Sequence, residues 1–307
     1  MLRDFAGTGN LATSKTKHLQ KNCQWQVFWQ VLTIVYRMQR AIISVINQKG
    51  GCAKSSTCFH TAGYFAKSGY RVLLVDADPQ GSLSQAFFGS AMIEALPQEQ
   101  TIAAIFDDDG HSGSIENLIL NTPVEGIDLL PANLRLCKFN VPEPMETGMA
   151  QFALASFLEL EENYDIILID CPPNLYQCSW NALLASDFVA VPLNADDFGV
   201  QGLRVVQEAI VQAQQLNPRL ALLGHFLTKF DRRVGLHREY DSTLRRVYGD
   251  QVFKTVTLEA SAFKLAVASR KPVTHFSSWS RATRQTKSLA LELLERMEQH
   301  RAKRKVV

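Results

Sequence analysis

The chain has 307 residues, of which 46% are hydrophobic and 20% are charged, and its formal net charge is +2. This composition excludes wholesale disorder and provides enough apolar residues for a large core. No apolar run reaches the roughly 18 residues that a membrane-spanning helix needs, so we expect no stable membrane insertion. The six cysteines include no C-x-x-C pair, which disfavours a zinc or iron–sulfur site and is consistent with reduced thiols in the cytoplasm.

The small net charge conceals a strong asymmetry along the chain. Residues 1–37 carry +4 (5 basic, 1 acidic), residues 38–203 carry −13 (7 basic, 20 acidic) and residues 204–307 carry +11 (20 basic, 9 acidic). A basic C-terminal part suggests contact with a polyanion, and a solvated basic surface explains it equally well.

Residues 1–37 precede the regular part of the sequence. Their apolar stretch, residues 25–36, is short and interrupted by glutamine, and Met38 stands just before the first strand-like run. We expect residues 1–37 to be an N-terminal extension, either disordered or upstream of the natural start, and residues 38–307 to form one domain. The alternative is a docking or membrane-interface segment, because Trp and Tyr favour interfaces.

From residue 41 onward, short apolar runs alternate with longer amphipathic segments. The runs are continuous and rich in Val, Ile and Leu, which is typical of parallel strands buried on both faces. We predict strands at Ala41–Ile46, Arg71–Asp76, Ile127–Leu130, Asp165–Asp170, Phe188–Leu193, Ala221–Thr228 and, as a further candidate, Val252–Val256. The predicted helices are Ser55–Lys67, Gly148–Glu162, Gly202–Leu216, Arg238–Tyr248 and Arg281–Arg301, and Pro97–Ser114 is predicted as loop. The alternation predicts an α/β fold with a doubly wound, mostly parallel sheet flanked by helices.

A glycine-containing loop, Asn47–Thr57, follows the first predicted strand. Gly50 and Gly51 permit a close backbone approach to phosphate, and the N–H groups at the start of the next helix attract anions. Lys54 is placed to reach the β- and γ-phosphates, and the Ser55 hydroxyl is placed to ligate Mg²⁺. The ordinary Walker A pattern fails at two positions, and the alternative is a simple strand-to-helix turn.

Acidic residues end two of the predicted strands. Asp76 and Asp78 follow the second strand and Asp170 ends the fourth, at the edge where α/β sheets bind ligands. Asp170 has the position of a Walker B residue, which holds the Mg²⁺ shell. A helix N-cap is the alternative role for a carboxylate at a strand end.

The segment Lys49–Ser55 resembles the deviant Walker A motif, K-G-G-x-x-K-[ST], of the ParA/MinD family, which has a P-loop NTPase fold. Asp76–Gly81 is similar to the family's D-x-D-P-Q-G motif. The resemblance implies that Lys49 reaches the nucleotide of a partner subunit, that Asp78 activates the attacking water, and that the metal lies near Ser55, Asp76 and Asp170. It implies ATP binding by Lys49, Gly50, Gly51, Cys52, Ala53, Lys54, Ser55 and Ser56, with Lys49, Lys54 and Asp78 as catalytic residues. Ala53 and Asn174 depart from the usual family residues.

The resemblance covers about residues 39–300 and implies an ATP- and Mg²⁺-dependent ATPase. Such a protein dimerises with ATP, binds DNA without sequence preference in the nucleoid, and hydrolyses ATP slowly until a ParB-like adaptor stimulates it. The cycle positions DNA or a protein cargo. Candidate DNA contacts are Arg233, which aligns best with a family arginine, and the clustered basic residues Arg232, Arg238, Arg245, Arg246, Lys264, Arg270 and Lys271.

Two rival functions follow from the same family. A MinD-like ATPase that cycles on membranes needs an amphipathic C-terminal helix, whereas this chain ends in a basic tail with almost no apolar face. An electron-transfer ATPase similar to the nitrogenase iron protein needs cysteines that bridge a cluster. The 37 residues before the domain are too few for a helix-turn-helix, so sequence-specific operator binding is not expected.

Overall fold

One sheet of seven strands organises the part of the chain that the structure, a computed structural model, describes: residues 40–107, 118–195 and 200–306. The strands are β1 (Ala41–Val45), β2 (Val72–Asp76), β3 (Leu120–Asn121), β4 (Ile127–Leu130), β5 (Ile166–Asp170), β6 (Phe188–Asn194) and β7 (Ala221–Thr228). Their order is β3-β4-β2-β5-β1-β6-β7, and all pairs are parallel except β3 with β4.

Helices follow most of the strands and flank the sheet. The α-helices within the described ranges are α1 (Lys54–Lys67), α2 (Ser82–Phe88), α3 (Ser90–Ala95), α4 (Ala153–Leu160), α5 (Gln177–Ala185), α6 (Val200–Leu216), α7 (Gly235–Tyr248), α8 (Ser261–Ala268), α9 (Val273–Phe276) and α10 (Arg281–Val306). Short 3₁₀ segments complete the chain at Gln98–Gln100, Ile102–Phe106, Leu134–Phe139, Pro144–Phe152 and Gly249–Gln251. None of these helices has the length and hydropathy that crossing a bilayer requires.

The strand register decides where the polar strand ends meet. Asp76 of β2 lies opposite Asp170 of β5, and Val45 of β1 lies opposite Asp170 on its other side. All residues of β2 and β5 are buried, as expected for central strands covered on both faces. The carboxyl ends of β2, β5 and β1 therefore form one edge, at which the loop before α1 begins.

The C-terminal helix α10 fixes the segment that follows α7. The Glu292 carboxylate accepts the backbone N–H groups of Lys254 and Thr255, both at 2.8 Å. Arg296 pairs with Glu292 at 3.0 Å and lies over the Phe253 ring at 4.1 Å. Because a carboxylate that bonds two adjacent amides holds the backbone between them, residues 253–258 have a defined path without belonging to the sheet.

The predicted fold class is confirmed, and so are the six firmly predicted strands, to within a residue at each end. The further candidate, Val252–Val256, is wrong: Val252 makes one isolated bridge to His225, and the Glu292 bonds replace a ladder. The helix predicted at Gly148–Glu162 is broken, since Gly148 adopts φ 59° and ψ −126° inside a 3₁₀ segment and α4 begins only at Ala153.

The loop Pro97–Ser114 contains the 3₁₀ segments at 98–100 and 102–106, and its residues 108–114 lie outside the described residues. The expectation for residues 1–37 also lies outside them. Sequence reasoning missed the two-residue antiparallel edge strand β3 and the helices α2, α3, α5, α8 and α9. These helices are short or lack a polar face: every residue of α5 is buried, which removes the helical periodicity that would reveal it.

Candidate active site

The loop between β1 and α1 has the shape of a phosphate-binding loop. Gly51 and Ala53 both adopt positive φ, 75° and 68°, immediately before α1 begins at Lys54. The Lys54 ammonium lies inside the loop and donates to the backbone oxygens of Asn47 at 3.0 Å and Lys49 at 3.2 Å. The Asn47 side chain accepts from the Lys49 N–H at 3.0 Å and donates to the Pro192 oxygen at 2.7 Å. The Asn47 side chain therefore connects the loop to β6, and the backbone oxygens of the loop bind the Lys54 ammonium.

Ala53 explains how a departure from the family pattern is tolerated. Its left-handed backbone costs a residue with a β-carbon about 1 kcal/mol, which glycine would avoid. Its carbonyl nonetheless accepts the first helical hydrogen bond, from Thr57 at 2.8 Å. The loop keeps the conformation that glycine favours, with some strain stored at this position.

Asp76 and Asp78 have different surroundings although they are two residues apart. The buried Asp76 carboxylate accepts three hydrogen bonds, from the Asp78 N–H at 3.2 Å, the Ser84 N–H at 2.8 Å and the Ser84 hydroxyl at 2.7 Å. Burial raises the Asp76 pKa to about 7. Asp78 accepts the Gln80 N–H at 2.9 Å, and it lines the cavity described below. Asp78 thus faces the cavity, whereas Asp76 organises the start of α2.

Asp170 has the environment expected of a carboxylate that can bind a cation. It is fully buried, and neither of its oxygens has a hydrogen-bond partner of normal geometry among the described residues. Burial raises its pKa well above the ordinary value, the neighbouring Asp76 charge raises it further, and the Ser55 hydroxyl and Lys54 ammonium oppose the rise. A divalent cation held between Ser55 and Asp170 would satisfy both oxygens, so these residues fit Mg²⁺, whereas the Asp76 oxygens are already used. Asp76 as a metal ligand stays a prediction.

A cavity of about 400 Å³ extends from this loop, within the range of small-molecule sites. Its lining includes the loop and strand-end residues Gly50, Gly51, Ala53–Thr57, Asp78 and Ser82, and also Thr228, Lys229, Thr257–Ala260, Phe263 and Leu289. The loop residues carry the N–H groups, hydroxyls and lysine that suit phosphates, and Leu258, Ala260, Phe263 and Leu289 add apolar side chains to the lining. The sequence motifs did not indicate the cavity residues at 257–263.

Lys49 is a residue of the phosphate loop that lies outside the cavity lining. It is exposed, and among the described residues it does not line the cavity that its neighbours Gly50 and Gly51 form. Cys52, in contrast, is buried and its thiol lies 3.2 Å from the Lys49 oxygen, so its place in the loop is structural.

His60 is a buried residue of this cavity that the sequence did not indicate. Its Nδ1 accepts the Val273 N–H at 3.1 Å, which assigns the ring proton to Nε2, and Nε2 has no partner in the described part of the chain. Burial lowers the His60 pKa to about 3. The ring therefore stays neutral and joins α1 to α9 instead of titrating near neutral pH.

The candidate DNA contacts lie on several elements. Arg232, Arg233 and Arg238 surround the start of α7, where the exposed Arg233 guanidinium pairs with Asp231 at 2.8 Å and Arg238 donates to the Arg232 oxygen at 2.7 Å. Arg246 and Lys271 are also exposed. The remaining three have intramolecular partners: Arg245 bonds Asp241 and the Phe253 oxygen, Lys264 pairs with Glu259, and the Arg270 guanidinium lies against Gly89.

A P-loop after a buried first strand, an acidic residue at the tip of the neighbouring strand and a cavity running from the loop to an apolar wall define a nucleotide-hydrolysing P-loop protein. Comparison with known proteins specifies the family of P-loop proteins to which the chain belongs. The AAA domain family model matches residues 40–222. The sporulation initiation inhibitor protein Soj of Bacillus subtilis is 33% identical over 254 residues, covering 82% of this chain and 97% of that protein.

The chromosome partitioning protein ParA of Caulobacter vibrioides is 30% identical over 266 residues, with 85% and 97% of the two chains covered. A solved structure of cobyrinic acid a,c-diamide synthase from Mycobacterium smegmatis, with a bound ATP analogue and magnesium, matches with a TM-score of 0.64 and 27% identity. It covers 79% of this chain and 98% of that chain. The chain belongs to the ParA/MinD family of P-loop ATPases, and its cofactors are ATP and Mg²⁺.

Replacing Asp170 with Asn should weaken ligand binding and, at the same time, increase the stability of the nucleotide-free protein. We expect Asp170→Asn to weaken Mg²⁺-dependent ATP binding by about tenfold or more, because a neutral amide binds Mg²⁺ poorly. Without nucleotide the variant should be more stable by about 1–2 kcal/mol, because an unpartnered buried carboxylate is removed. Calorimetric titration with and without EDTA, together with urea unfolding, measures both effects. Asp187→Asn, at the opposite end of the sheet, is the control, and equal Mg²⁺ dependence in the two variants would contradict the assignment.

The low pKa of His60 predicts a pH dependence of stability. Between about pH 6.5 and pH 3 the unfolded chain takes up a proton at this residue and the folded chain does not, so stability falls as pH falls through this window. One such group contributes up to about 1.4 kcal/mol per pH unit. His60→Asn keeps an acceptor for the Val273 N–H and removes the titration. Urea unfolding from pH 7 to pH 4.5 should give converging stabilities for wild type and variant. Parallel curves would show that His60 is not buried neutral.

Proposed function

We propose that the chain is an ATP-dependent dimerising switch that hydrolyses ATP slowly, binds DNA without sequence preference and positions DNA or a protein cargo. The similar protein ParA of Caulobacter vibrioides is a chromosome partitioning protein, which supports the partitioning role. The proposal places the protein in the cytoplasm, associated with the nucleoid, and gives it a ParB-like partner that stimulates hydrolysis.

The observation that carries the proposal is the orientation of Lys49. It belongs to the phosphate loop, yet its side chain is exposed and outside the cavity of its own chain. A lysine in this position can bind the phosphates of a second copy placed face to face with the loop. ATP would then neutralise lysines of both subunits at once, so that dimerisation depends on the nucleotide.

Within each subunit the remaining roles follow from the side chains. Lys54 and the loop N–H groups bind and orient the phosphates, Ser55 and Asp170 hold the Mg²⁺ shell, and Asp78 orients the attacking water from the cavity wall. Mg²⁺ supplies charge neutralisation at the transferring phosphoryl group. Asp76, through Ser84, keeps the loop after β2 in place, so that Asp78 stays directed toward the cavity.

DNA binding is proposed for the basic C-terminal part. Residues 260–291 contain six Lys or Arg and no Asp or Glu. The exposed candidates from the sequence are Arg232, Arg233, Arg238, Arg246, Lys264, Arg270 and Lys271. Arg245 is the weakest candidate, because it is half-buried and its guanidinium group bonds Asp241 and the Phe253 oxygen.

The second candidate function is a MinD-like ATPase that cycles on membranes. It would require an amphipathic segment, and α10 ends in a run of cations, among them Arg301, Lys303 and Arg304. Arg301 and Arg304 lie over the Phe188 ring, at 5.7 and 5.9 Å from its centroid. A helix end docked on its own domain is a poor membrane anchor, so we favour the DNA-binding switch.

The switch is tested by measuring ATP hydrolysis and DNA binding for wild type, Lys49→Ala and Asp78→Ala, each with ATP and with ADP. Wild type should bind a random-sequence duplex only with ATP. Asp78→Ala should bind DNA without hydrolysing ATP, because the water is no longer oriented, and Lys49→Ala should do neither. If the protein hydrolyses ATP but does not bind DNA in either nucleotide state, the ATPase assignment stands and the DNA-binding role is contradicted. The MinD-like membrane function would then be favoured.

Arg233→Ala tests the proposed DNA surface. If Arg233 contacts a phosphate, the variant should weaken binding to all duplex sequences alike and reduce the slope of log K against log salt by about one. Glu239→Ala, which removes a negative charge in the first turns of α7 just after Arg233, is the control and should not reduce the slope. Mobility-shift titrations at several salt concentrations measure it, and an unchanged slope would exclude Arg233 from the DNA contacts.

A further inference from the structure

A groove of about 650 Å³ lies at the amino-terminal edge of the sheet. Arg71 and Gly126, which line it, directly precede β2 and β4, and Lys67, which also lines it, ends α1. The phosphate loop lies at the carboxyl ends of the strands, where α1, a helix of 14 residues, begins. Because a helix of this length spans about 21 Å, the groove is separate from the nucleotide cavity.

The lining of this groove carries an excess of positive charge. Lys67, Arg71 and Lys271 supply three cations, whereas Glu125 is the single acidic side chain among the lining residues that the structure describes. The Asp165 carboxylate lies 3.8 Å from the Arg71 guanidinium and offsets part of its charge. Lys67 and Lys271 have no carboxylate at ion-pair distance in the described part of the chain. Such a surface attracts anions.

The two unpaired lysines of the groove lie near His275. The Lys67 ammonium donates to the Thr274 oxygen at 2.6 Å and to the Ser278 hydroxyl at 3.2 Å, and both acceptors are neutral. Burial lowers the pKa of His275, and the charges of Lys67 and Lys271 lower it further. A phosphate bound between these groups would relieve the repulsion among them.

An exposed aromatic residue adjoins the basic groove. Trp279 directly follows Ser278, whose hydroxyl accepts the bond from Lys67, and Trp279 is 90% exposed. The Arg284 guanidinium donates to the Trp279 oxygen at 2.8 Å, which ties the turn between α9 and α10 to the first turn of α10. A tryptophan that is held at a turn and left almost uncovered provides a flat surface on which a nucleic-acid base can stack.

The composition of this surface favours nucleic acid over a lipid bilayer. A membrane-binding face needs several bulky apolar residues, whereas between residues 269 and 281 only Phe276 and Trp279 are large, apolar and exposed. A concave basic groove beside an aromatic ring is the arrangement by which proteins hold single strands. Since the bases of a duplex are stacked on one another, the Trp279 ring can stack only on an unpaired base.

We propose that this groove binds the phosphates of a single-stranded nucleic acid, with an unpaired base stacked on Trp279. The duplex contacts proposed at Arg232 and Arg233 follow β7, at the opposite edge of the sheet, so the two sites are distinct. The inference therefore goes beyond the proposed function. Because the groove contains no residue of the phosphate loop, single-strand binding is independent of the bound nucleotide.

Fluorescence anisotropy of a short labelled oligothymidine tests the site in the full chain, with ADP and with ATP. Trp279→Ala removes the ring, Trp279→Phe keeps a stacking surface, and Lys271→Ala removes a cation of the groove. Lys254→Ala, which removes an exposed lysine outside the groove, is the control. An abasic oligonucleotide of the same length carries the phosphates without the bases, and thermal melting confirms that each variant is folded.

Wild type should bind the oligothymidine equally with ADP and with ATP. Trp279→Ala should weaken binding by about fivefold or more, because base stacking is lost, and Trp279→Phe should stay within about threefold of wild type. Lys271→Ala should reduce the slope of log K against log salt by about 0.7, the change for one phosphate contact on a single strand. The abasic ligand should bind more weakly, and equally to wild type and Trp279→Ala.

Three results would overturn the inference: no oligothymidine binding by wild type, unchanged affinity in Trp279→Ala, or an equal loss of oligothymidine and abasic ligand in that variant. Co-sedimentation with phosphatidylglycerol vesicles is measured in parallel. Vesicle binding that requires Trp279, without oligothymidine binding, would assign the surface to a membrane instead. Failure of the proposed function is distinguishable, because the switch predicts no duplex binding with ADP, the state in which the single strand should still bind.

Discussion

Two carboxylates on adjacent central strands impose the constraint on which the rest of the site depends. Asp76 and Asp170 lie opposite each other in the β2–β5 register, and both are fully buried. Like charges in such a position oppose ionisation, and burial raises both pKa values. The two groups have different surroundings: Ser84 and the Asp78 amide donate hydrogen bonds to Asp76, whereas neither oxygen of Asp170 has such a partner among the described residues. A fold that places these groups together is stabilised when Mg²⁺ and nucleotide bind.

Two residues with strained backbone conformations lie at the same edge of the sheet as the buried carboxylates. Ala53 and Lys229 adopt left-handed backbone conformations, one in the phosphate loop and one opposite it. Thr228 links the two positions through its hydrogen-bond distance to Cys52, so the end of β7 and the loop hold each other in place. Strain in the loop is compatible with a stable protein because the central strands β2 and β5 are buried and have a partner on each side.

The basic C-terminal part has more than one physical role. Arg296 binds Glu292 and three backbone oxygens and stacks on Phe253, so its charge joins α10 to the end of β7 and to the segment around Val252. Arg245, Arg301 and Arg304 likewise have partners within the domain. The excess of positive charge therefore overstates the number of cations that are free to meet a polyanion, and the exposed ones divide between the start of α7 and the acid-free stretch around α8 and α9.

The sequence by itself determined the fold class, six of the seven strands, the phosphate loop and the acidic residues at the strand ends, because continuous apolar runs and a glycine-containing loop are local patterns. Only the tertiary structure decided the rest. Beyond Val252 the strand ladder is replaced by the hydrogen bonds that Lys254 and Thr255 donate to Glu292, a helix residue some forty positions away, and no local pattern encodes that competition. His60 and Phe263 entered the cavity through packing between α1, α8 and α9, Leu258 entered it through its bridge to Phe230, and Lys229 reached Gly51 because β7 ends beside the loop. Such contacts depend on which elements become neighbours, which the order of residues along the chain does not state.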